Sequence, residues 1–489
     1  MGLFDFLKKV TYKTKTEKGD ITHITTLSYC IDLFGVVGSS RTNDNEIVEL
    51  FNRAYNENPR LALKILMYTR DIRNGLGERR TFRAIFENLC IHRPGVAKQL
   101  IPYISEIGRY DDLFSAFNSD VEKDVIDLIK RTLKEDLLNL DSGKEVSLLS
   151  KWMPSINASS KTTIKQAKYL CGKLNLTNEE YRKMLSTLRK GRIIENNLRE
   201  KDYTFDYSKV PSRAMYKYRR AFARNDLKRY QEFLLSVNGG VRKIHVKALY
   251  HYDIIKEAYG AWGEIKKLNK NEKLAMQLKW NSLKRDYKLG NTIVVRDGSE
   301  SMMCDDGLPL LIADSLSIYF SELLTGSFKN KFITFSSNPE LVEFKSNNLY
   351  DKLVELSLYK DHTNTDISKV YNLLIDAYKN GIERKDMIKR IIIISDMEFD
   401  SCVDGMSSFE IFKKQFDCLN IPMPEVIFWN VNARNIHFAT DTKQKNIRYI
   451  SGASNKIVEN LISDGNLENM EFIIDTVSRY TFIDDVIIK

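Results

Sequence analysis

The chain has 489 residues, of which 43% are hydrophobic and 29% are charged, and its formal net charge is +10. This length exceeds one ordinary hydrophobic core, so two or three domains of a water-soluble globular protein are expected. No uncharged apolar run is long enough to cross a bilayer, and Asp5, Lys8 and Lys9 interrupt the apolar N-terminus, so we expect neither a membrane span nor a signal peptide.

The six cysteines are scattered along the chain and form no Cys-x-x-Cys pair. A zinc site or a disulfide framework is therefore not expected, and a reducing compartment such as the cytoplasm fits better. Frequent Lys, Asn and Ile are typical of an AT-rich genome, and a viral protein in a host cell would fit this composition.

Charge is distributed unevenly along the chain. Residues 1–150 hold 22 basic and 22 acidic side chains, residues 151–290 hold 32 and 13, and residues 291–489 hold 21 and 30. The middle block therefore carries a net charge of +19 and the last block −9. Such a division suggests a polyanionic partner for the middle block and a cation site in the last.

Residues 20–290 have the pattern of an α-helical domain that follows an N-terminal extension, residues 1–19. Apolar residues recur at helical spacing from Val125 to Leu140, and Thr177-Asn-Glu-Glu180 is a capping box that predicts a helix start. Glycine and proline separate successive short helices. We therefore expect a stacked, HEAT-like array of helices, although no exact sequence repeat is present.

From residue 291 the spacing of apolar residues changes to a pattern typical of an α/β domain. We expect this domain over residues 291–470, followed by a C-terminal tail at 471–489. Strands that are apolar throughout alternate with helices, which predicts a doubly wound parallel sheet with helices on both faces. The predicted strands are 292–296, 331–335, 390–395, 425–430 and, more weakly, 447–450, and the predicted helices are 308–325, 366–380, 406–419 and 454–463.

Oxygen-bearing side chains follow two of these strands and precede one helix. Asp297, Ser299 and Ser301 come after the first strand, Thr365 precedes the helix at 366–380, and Asp396 follows strand 390–395. Ligands collect beyond the carboxyl ends of parallel strands, and this donor set suits Mg²⁺ or another divalent cation. With two carboxylates or fewer, the ion can take a further acidic ligand from a partner protein.

Other interpretations of this motif are available. Asp-x-Ser-x-Ser by itself usually marks a turn with local hydrogen bonds. A phosphatase that used Asp297 as its active-site aspartate would need a second acidic residue at position 299, where this chain has Ser299. A serine hydrolase would need a nucleophile elbow and a histidine base. The six histidines show no such partnership, so we expect a binding site and no catalysis.

Basic side chains recur in stripes within the middle block, with few acidic neighbours. Such an uncompensated surface predicts binding to nucleic-acid phosphates, although a solvated basic face is the usual alternative. RNA is preferred because no duplex-recognition helix or zinc finger is present. Interleaved aromatic residues at 216, 218, 222 and 230 either stack on bases or pack in the core. The candidate RNA-binding residues are Lys161, Lys165, Lys168, Arg182, Lys183, Arg189, Lys190, Arg192, Arg213, Lys217, Arg220, Arg224 and Lys228.

A further charged segment, residues 70–80, alternates in sign between glycines. We expect its residues to form an ion-pair network that joins two helices, in preference to contacting RNA. The charged residues of this segment are Arg70, Asp71, Arg73, Glu78, Arg79 and Arg80.

Several motifs together carry a family resemblance. They are the segments 68–79, 108–113, 151–155, 210–215, 395–400 and 428–430. With them, the chain resembles the TROVE-module Ro proteins, which are RNA-binding autoantigens of ribonucleoproteins, and more closely the plant and viral relatives of that group.

The last domain resembles a von Willebrand factor A domain with its metal-ion-dependent adhesion site (MIDAS). Carried over to this sequence, that site consists of Asp297, Ser299, Ser301, Thr365 and Asp396, with Thr363 as an alternative to Thr365. In Ro proteins the helical repeats form a ring that takes single-stranded RNA ends, and the outer face takes small structured RNAs. The resemblance therefore implies an RNA-binding scaffold. The alternative is a protein-interaction or virion-associated assembly module that uses the metal site.

Overall fold

The structure is a computed structural model, and the residues that it describes are 12–40, 43–190, 193–246, 249–260, 263–283, 287–336, 338–359, 365–383, 386–400, 407–441, 446–458, 461 and 468–488. As far as residue 283 the chain is mainly helical. The last part contains a six-stranded mixed sheet with helices. None of the described helices combines the length and the apolar character that crossing a membrane requires.

The first part begins with a β-hairpin, in which β1 (Lys13–Lys15) pairs antiparallel with β2 (Ile21–His23). Fifteen α-helices follow among the described residues up to 283, and a 3-10 helix at Tyr110–Ala116 lies between the fifth and the sixth. They are α1 (Tyr29–Val36), α2 (Asp44–Glu57), α3 (Pro59–Arg70), α4 (Arg80–His92), α5 (Pro94–Ile107), α6 (Glu122–Asp141), α7 (Leu149–Trp152), α8 (Lys161–Leu174), α9 (Asn178–Arg189), α10 (Ile194–Glu200), α11 (Ser212–Lys217), α12 (Arg219–Asn225), α13 (Leu227–Asn238), α14 (His251–Ile255) and α15 (Lys270–Leu283).

Local sequence explains where several of these helices begin. The side chain of Asn58 accepts a hydrogen bond from the backbone of Leu61, and Pro59 occupies the first turn of α3, where a missing N–H costs nothing. The predicted capping box is present at the start of α9, since Thr177 and Glu180 each bond the other's backbone N–H. These local signals set the starts of the short helices in the first part of the chain.

The second part is built on β3 (Thr292–Asp297), whose side chains are all buried. The other elements are α16 (Cys304–Leu323), β4 (Lys331–Phe335), β5 (Leu341–Glu343), α17 (Leu349–Leu356), α18 (Ile367–Lys379), β6 (Arg390–Ser395), α19 (Ser408–Cys418), β7 (Glu425–Asn430), β8 (Ile447–Ser451) and α20 (Asn469–Val477). Residues 305–307 have left-handed backbone angles, so the regular part of α16 begins at Leu308.

The strand order in the sheet is β5-β4-β3-β6-β7-β8. Strand β3 pairs in parallel with β4 on one side and with β6 on the other, so the direction of strand addition reverses next to β3. In open α/β sheets a ligand site forms at the carboxyl ends of the strands that flank such a reversal. Asp297 ends β3 and Asp396 follows β6, so the topology places both acids at that edge.

The sheet differs from the predicted one in one strand. All five predicted strands are present, but β5 was not predicted, and it pairs antiparallel with β4. The sheet is therefore mixed and not purely parallel. Three residues with exposed ends, Leu341-Val-Glu343, are too short to give a periodic signal, and only pairing with β4 defines them as a strand.

The two parts of the chain contact each other extensively. Helix α1 packs against β8, and the Ser451 hydroxyl donates to the carbonyl of Phe34 at 2.8 Å. Helix α14 packs against α16, while the Tyr250 hydroxyl donates to the carbonyl of Leu76 at 2.6 Å. The segment before α14 therefore contacts the segment after α3, and α1 and α14 both pack on elements of the sheet domain.

Segments at the predicted domain borders take part in these contacts. The predicted border between residues 19 and 20 falls inside the β1–β2 hairpin, whose residue His23 pairs with Phe438 of the last part. The border at 470 falls inside α20, after which Phe482 stacks on Tyr103 of α5 with ring centres 4.1 Å apart. Residues near both termini therefore pack against the other end of the chain.

Candidate metal centre and nucleic-acid interface

Asp297 is the buried anchor of the candidate metal centre. Its side chain is fully shielded from solvent at the end of β3. One carboxylate oxygen accepts a 2.9 Å hydrogen bond from the backbone N–H of Ser299, and the other accepts a 2.6 Å bond from the hydroxyl of Ser395 at the end of β6. These bonds fix the loop that follows β3, residues 297–301 and here called the first loop, against the neighbouring strand β6.

The two serine hydroxyls of the first loop lie beside this carboxylate. The oxygens of Ser299 and Ser301 are 3.0 Å apart. The Ser301 hydroxyl also hydrogen-bonds the carboxylate of Asp396. This bond ties the first loop to the loop that follows β6, residues 396–400 and here called the third loop. Asp297, Ser299, Ser301 and Asp396 are therefore brought together, as the sequence predicted.

Asp396 is 2% exposed and faces two other charged side chains. Burial and the carboxylate of Asp297 raise its pKa, while the Ser301 hydrogen bond and the guanidinium of Arg434 act in the opposite direction. Arg434 donates to Asp396 at 2.9 Å and also pairs with Glu17 of the hairpin at 2.9 Å. Two buried acids side by side are unfavourable unless a cation compensates them.

Thr365 is fully buried, and its backbone N–H donates to Asp400 at 2.5 Å. Its hydroxyl donates to the carbonyl of Glu398 at 2.9 Å and accepts a 3.0 Å bond from the ammonium of Lys18. The hydroxyl is therefore linked to the third loop, and a side chain of the hairpin occupies one of its lone pairs. The alternative residue, Thr363, lies outside the described residues.

The donor set fits a small, hard cation. Carboxylate and hydroxyl oxygens suit Mg²⁺, and adjacent oxygens about 2.1 Å from that ion lie about 3 Å apart, close to the spacing of Ser299 and Ser301. The described residues contain no cluster of three or more His, Cys, Asp or Glu side chains arranged for a metal. A metal site at this edge of the sheet would therefore use hydroxyl oxygens as much as carboxylate oxygens. The bound ion would keep positive charge that could attract an acidic ligand.

Four residues near this centre were not predicted as part of it: Lys18, Glu398, Arg434 and His437. Glu398 is 1% exposed, and burial acts to raise its pKa. Hydrogen bonds from His437, from the backbone of Glu17 and from Asn435 outweigh burial and lower that pKa to about 2. The acidic run after β6 hinted at Glu398, but nothing in the sequence placed residues 17 and 18 beside it.

Most of the candidate RNA-binding side chains are exposed and uncompensated. They form no salt bridge within the described part of the chain. These free cations are Lys161, Lys165, Lys168, Arg182, Lys190, Arg220, Arg224 and Lys228, whereas Lys217 forms no salt bridge but lies over the Tyr218 ring. Lys183 and Arg213 are exposed as well, but they pair with Glu179 at 2.8 Å and with Asp253 at 3.5 Å.

Arg189 is wrong as a phosphate-contacting residue. Its guanidinium donates to the carbonyls of Ser150 and Met153 and to the hydroxyl of Ser155, at 2.7 to 2.8 Å. With its donors committed to the segment before α8, this arginine holds helices together. Arg192 lies outside the described residues.

The basic stripe from 213 to 228 does not lie on one helix. It is divided among α11, α12 and α13, with breaks at Tyr218 and Asp226. Among the interleaved aromatics, Phe222 and Tyr230 are buried and their rings contact Tyr207. These two rings pack in the core and are not available as base platforms.

The charged segment 70–80 does form ion pairs, but mainly with partners outside itself. Arg70 of α3 and Arg83 of α4 both bind Asp112 in the 3-10 helix, at 2.6 and 2.8 Å. Asp111 accepts from Arg83 and from Arg109, whose guanidinium also lies 3.5 Å from the centre of the Trp152 ring. The network joins two helices as expected, and its acids come from the 108–113 segment.

The chain is similar in sequence to a viral protein and, weakly, in structure to a bacterial one. Uncharacterized protein L728 of Acanthamoeba polyphaga mimivirus is 26% identical over 465 residues, which covers 86% of this chain and 79% of that protein. A viral relative agrees with the predicted viral group. The crystal structure of the Ro (RSR) protein of Deinococcus radiodurans aligns with 94% of this chain and 100% of that one, at 11% identity and a TM-score of 0.35. That TM-score is too low to establish a shared fold.

Two family models match the chain in adjoining segments. The model described as a domain of unknown function, DUF7788, matches residues 291–481. A second, the domain of unknown function DUF2828, matches residues 16–137 and 161–290, which together are more than half of the chain. The chain therefore belongs to the DUF2828 family, with a DUF7788 domain after the helical part.

Proposed function

We propose that this protein is a non-catalytic, Ro-like RNA-binding scaffold. The free cations of residues 161–228 bind the phosphates of single-stranded or structured small RNA. The observation that carries this proposal is the exposure of these lysines and arginines without salt-bridge partners in the described part of the chain. Like charges close together on helices repel, and a polyanion removes that cost while releasing its own counterions.

The chemistry of the surface favours phosphate contacts over base recognition. Phe222 and Tyr230 are buried, and Lys217 lies 5.0 Å from the centre of the Tyr218 ring. Binding should accordingly depend strongly on salt and weakly on base sequence.

The finer assignments of fold belong to this proposal as well. The short helices that follow one another up to residue 283 support a HEAT-like, TROVE-type array. The reversal of strand order beside β3, with Asp297 at its carboxyl end, supports a von Willebrand A-type domain. We infer that this domain binds Mg²⁺ through Asp297, Ser299, Ser301, Thr365 and Asp396, and that the ion takes an acidic residue of a protein partner. The described cysteines are free, in keeping with a cytoplasmic ribonucleoprotein.

Charge reversal on the free cations tests the RNA-binding proposal. We expect the full-length triple variant Arg220→Glu, Arg224→Glu, Lys228→Glu to bind a fluorescent single-stranded RNA at least about tenfold more weakly. Loss of three phosphate contacts should also reduce the slope of log affinity against log salt by about 2. Fluorescence anisotropy over a salt series measures both quantities.

A matched control lies on α6. Lys130, Arg131 and Lys134 are exposed, and their reversal changes the net charge by the same amount in the part of the chain that is neutral overall. If both triple variants lose affinity equally, the RNA site is not on residues 161–228. Circular dichroism of each variant shows whether the fold is retained.

The second candidate function is a protein-interaction or assembly module centred on the metal site. The joining of the first and third loops through Ser301 and Asp396 favours it. This function predicts Mg²⁺-dependent capture of a partner by a protein that does not bind RNA. The anisotropy experiment therefore separates the two candidates.

A further inference from the structure

The turn of the N-terminal hairpin lies directly on the loop that follows β6. The hydroxyl of Thr16 donates to the carbonyl of Phe399 at 2.6 Å, and the backbone N–H of Glu17 donates to the carboxylate of Glu398 at 2.8 Å. Gly19 forms an isolated antiparallel bridge with Asp400. The turn, residues 16–20, is therefore held to the third loop of the candidate metal centre over its whole length.

Lys18 extends from this turn to Thr365, just before α18. Its ammonium lies 3.0 Å from the hydroxyl oxygen of Thr365, and within the described residues no salt bridge to a carboxylate is formed by Lys18. A primary ammonium needs acceptors when it is half-buried, and here it takes one from the predicted metal ligands. An internal cation thus lies against the site where a divalent cation would bind.

The hydroxyl of Thr365 cannot serve both cations without cost. The hydroxyl proton of Thr365 is donated to the carbonyl of Glu398, so only the two lone pairs of its oxygen are left for cations. The ammonium of Lys18 uses one of them. A metal on the second lone pair would lie within a few ångström of the ammonium. At such a distance two positive charges repel strongly in a partly buried site.

A second contact links the same turn to the centre. Arg434 bridges Glu17 of the turn and Asp396 of the third loop. A metal ion on Asp396 competes with this guanidinium as well. If Arg434 moved away from Asp396, its salt bridge would no longer connect Glu17 to the candidate metal centre.

We propose that Lys18 is a built-in competitor of the divalent cation, so that metal binding displaces its ammonium from Thr365 and loosens turn 16–20. This inference rests on the metal site of the proposed function and adds its regulation. In the metal-free protein the turn is closed on the centre. With the metal bound, the centre is open to an acidic ligand from outside.

Calorimetric titration of the full-length protein with Mg²⁺ or Mn²⁺ tests the competition. Lys18→Met removes the charge and retains most of the side-chain volume, and we expect it to bind the metal roughly tenfold or more tightly than the wild type does. Lys15→Met is the matched control, because Lys15 is an exposed lysine of the same hairpin. Its metal affinity should equal that of the wild type.

The outcomes distinguish this inference from the metal site itself. Equal affinities in all three proteins would overturn the role of Lys18 and leave the site intact. Absence of metal binding in all three would overturn both. Asp297→Ala should abolish binding, and retention of affinity in that variant would place the metal elsewhere.

A second measurement uses the wild-type protein without substitution. Acylation of lysines, followed by peptide mass spectrometry, should show Lys18 reacting at least about threefold faster in saturating Mg²⁺, because displacement exposes its amine. Lys15 provides the internal reference and should not change. An unchanged rate at Lys18, under conditions where calorimetry shows the site filled, would refute displacement.

Discussion

At the scale of single residues, His251 is a buried histidine without a hydrogen-bond partner in the described structure. His251 is 1% exposed, and within the described structure neither of its ring nitrogens has a hydrogen-bond partner. It packs between Trp280 and Tyr319, with ring centres 4.9 and 4.1 Å away. Burial lowers its pKa to about 3, so it is neutral in the folded protein. A sequence cannot show this, because the three rings come from α14, α15 and α16.

We predict that His251 makes the protein acid-sensitive. The unfolded chain binds a proton at His251 below about pH 6.5, whereas the folded chain does so only near pH 3. Stability from this group is therefore complete above pH 6.5 and is lost as the pH falls, by about 1.4 kcal/mol for each unit. Urea unfolding between pH 7 and pH 4.5 measures the slope.

His251→Phe keeps an aromatic ring at this position and removes the titration. The difference in unfolding free energy between wild type and variant should therefore shrink or reverse as the pH falls. Asp20 and Asp32, whose pKa values burial raises to about 6, are unchanged in both proteins and cancel in this comparison. A pH-independent difference would show that His251 stays hydrogen-bonded or exposed.

At the scale of elements, charged residues serve to join helices. Asp112 is fully buried and accepts from Arg70, from Arg83 and from the backbone N–H of Arg109. It thus connects α3, α4 and the 3-10 helix at one point. The two arginines are 42 and 29 positions from Asp112, and the sequence alone indicated only that residues 70–80 would be paired.

We predict that Asp112→Asn destabilises the protein by about 3–5 kcal/mol. The substitution leaves the guanidinium of Arg70, which is 2% exposed, without its counter-charge in the interior. Chemical denaturation measures this loss. Asp120→Asn, at an exposed position nearby, is the control and should change stability by less than about 0.5 kcal/mol.

Equal stabilities for the two aspartate variants would show that the buried network contributes nothing. At this same scale, the basic stripe 213–228 is divided among three helices. Charge spacing follows the helical period whether or not the backbone is continuous, so spacing could not show the breaks.

At the scale of the whole molecule, the helical array and the sheet domain pack through glycine-permitted contacts. Gly38 follows α1 and lies against β8, where its backbone N–H donates to the hydroxyl of Ser451 at 3.0 Å. A Cβ at Gly38 would lie 2.7 Å from the carbonyl oxygen of Ser451 and 2.8 Å from the side chain of Leu76. The backbones at Gly38 and in β8 are therefore too close to leave room for a side chain at position 38.

We predict that Gly38→Ala weakens the docking of the array on the sheet. The clash with backbone in β8 cannot be relieved by a side-chain rotation, and we expect a loss of about 2 kcal/mol or more in unfolding free energy. Gly95→Ala is the control, since a Cβ there meets nothing within 4 Å, and the helical position should gain up to about 1 kcal/mol. Thermal unfolding of both variants measures the two effects.

Limited proteolysis of the same variants locates the change. Faster cleavage between the array and the sheet in Gly38→Ala, with no change in Gly95→Ala, is the expected result. Wild-type stability in Gly38→Ala would mean that α1 and β8 are farther apart than the structure has them.

By itself the sequence determined the helical first part, the five strands that lie buried in the sheet, and the loop residues Asp297, Ser299, Ser301 and Asp396 that gather at its edge. These features follow from periodicity and from position relative to a strand end, both of which are local. Only the tertiary structure decided that β5 pairs antiparallel, that Arg189 donates to backbone carbonyls, and that Lys18 and Arg434 lie beside the candidate metal ligands Thr365 and Asp396. The physical reason is that a contact across 347 residues, as between Lys18 and Thr365, depends on how the two ends of the chain pack, and no local pattern records that packing.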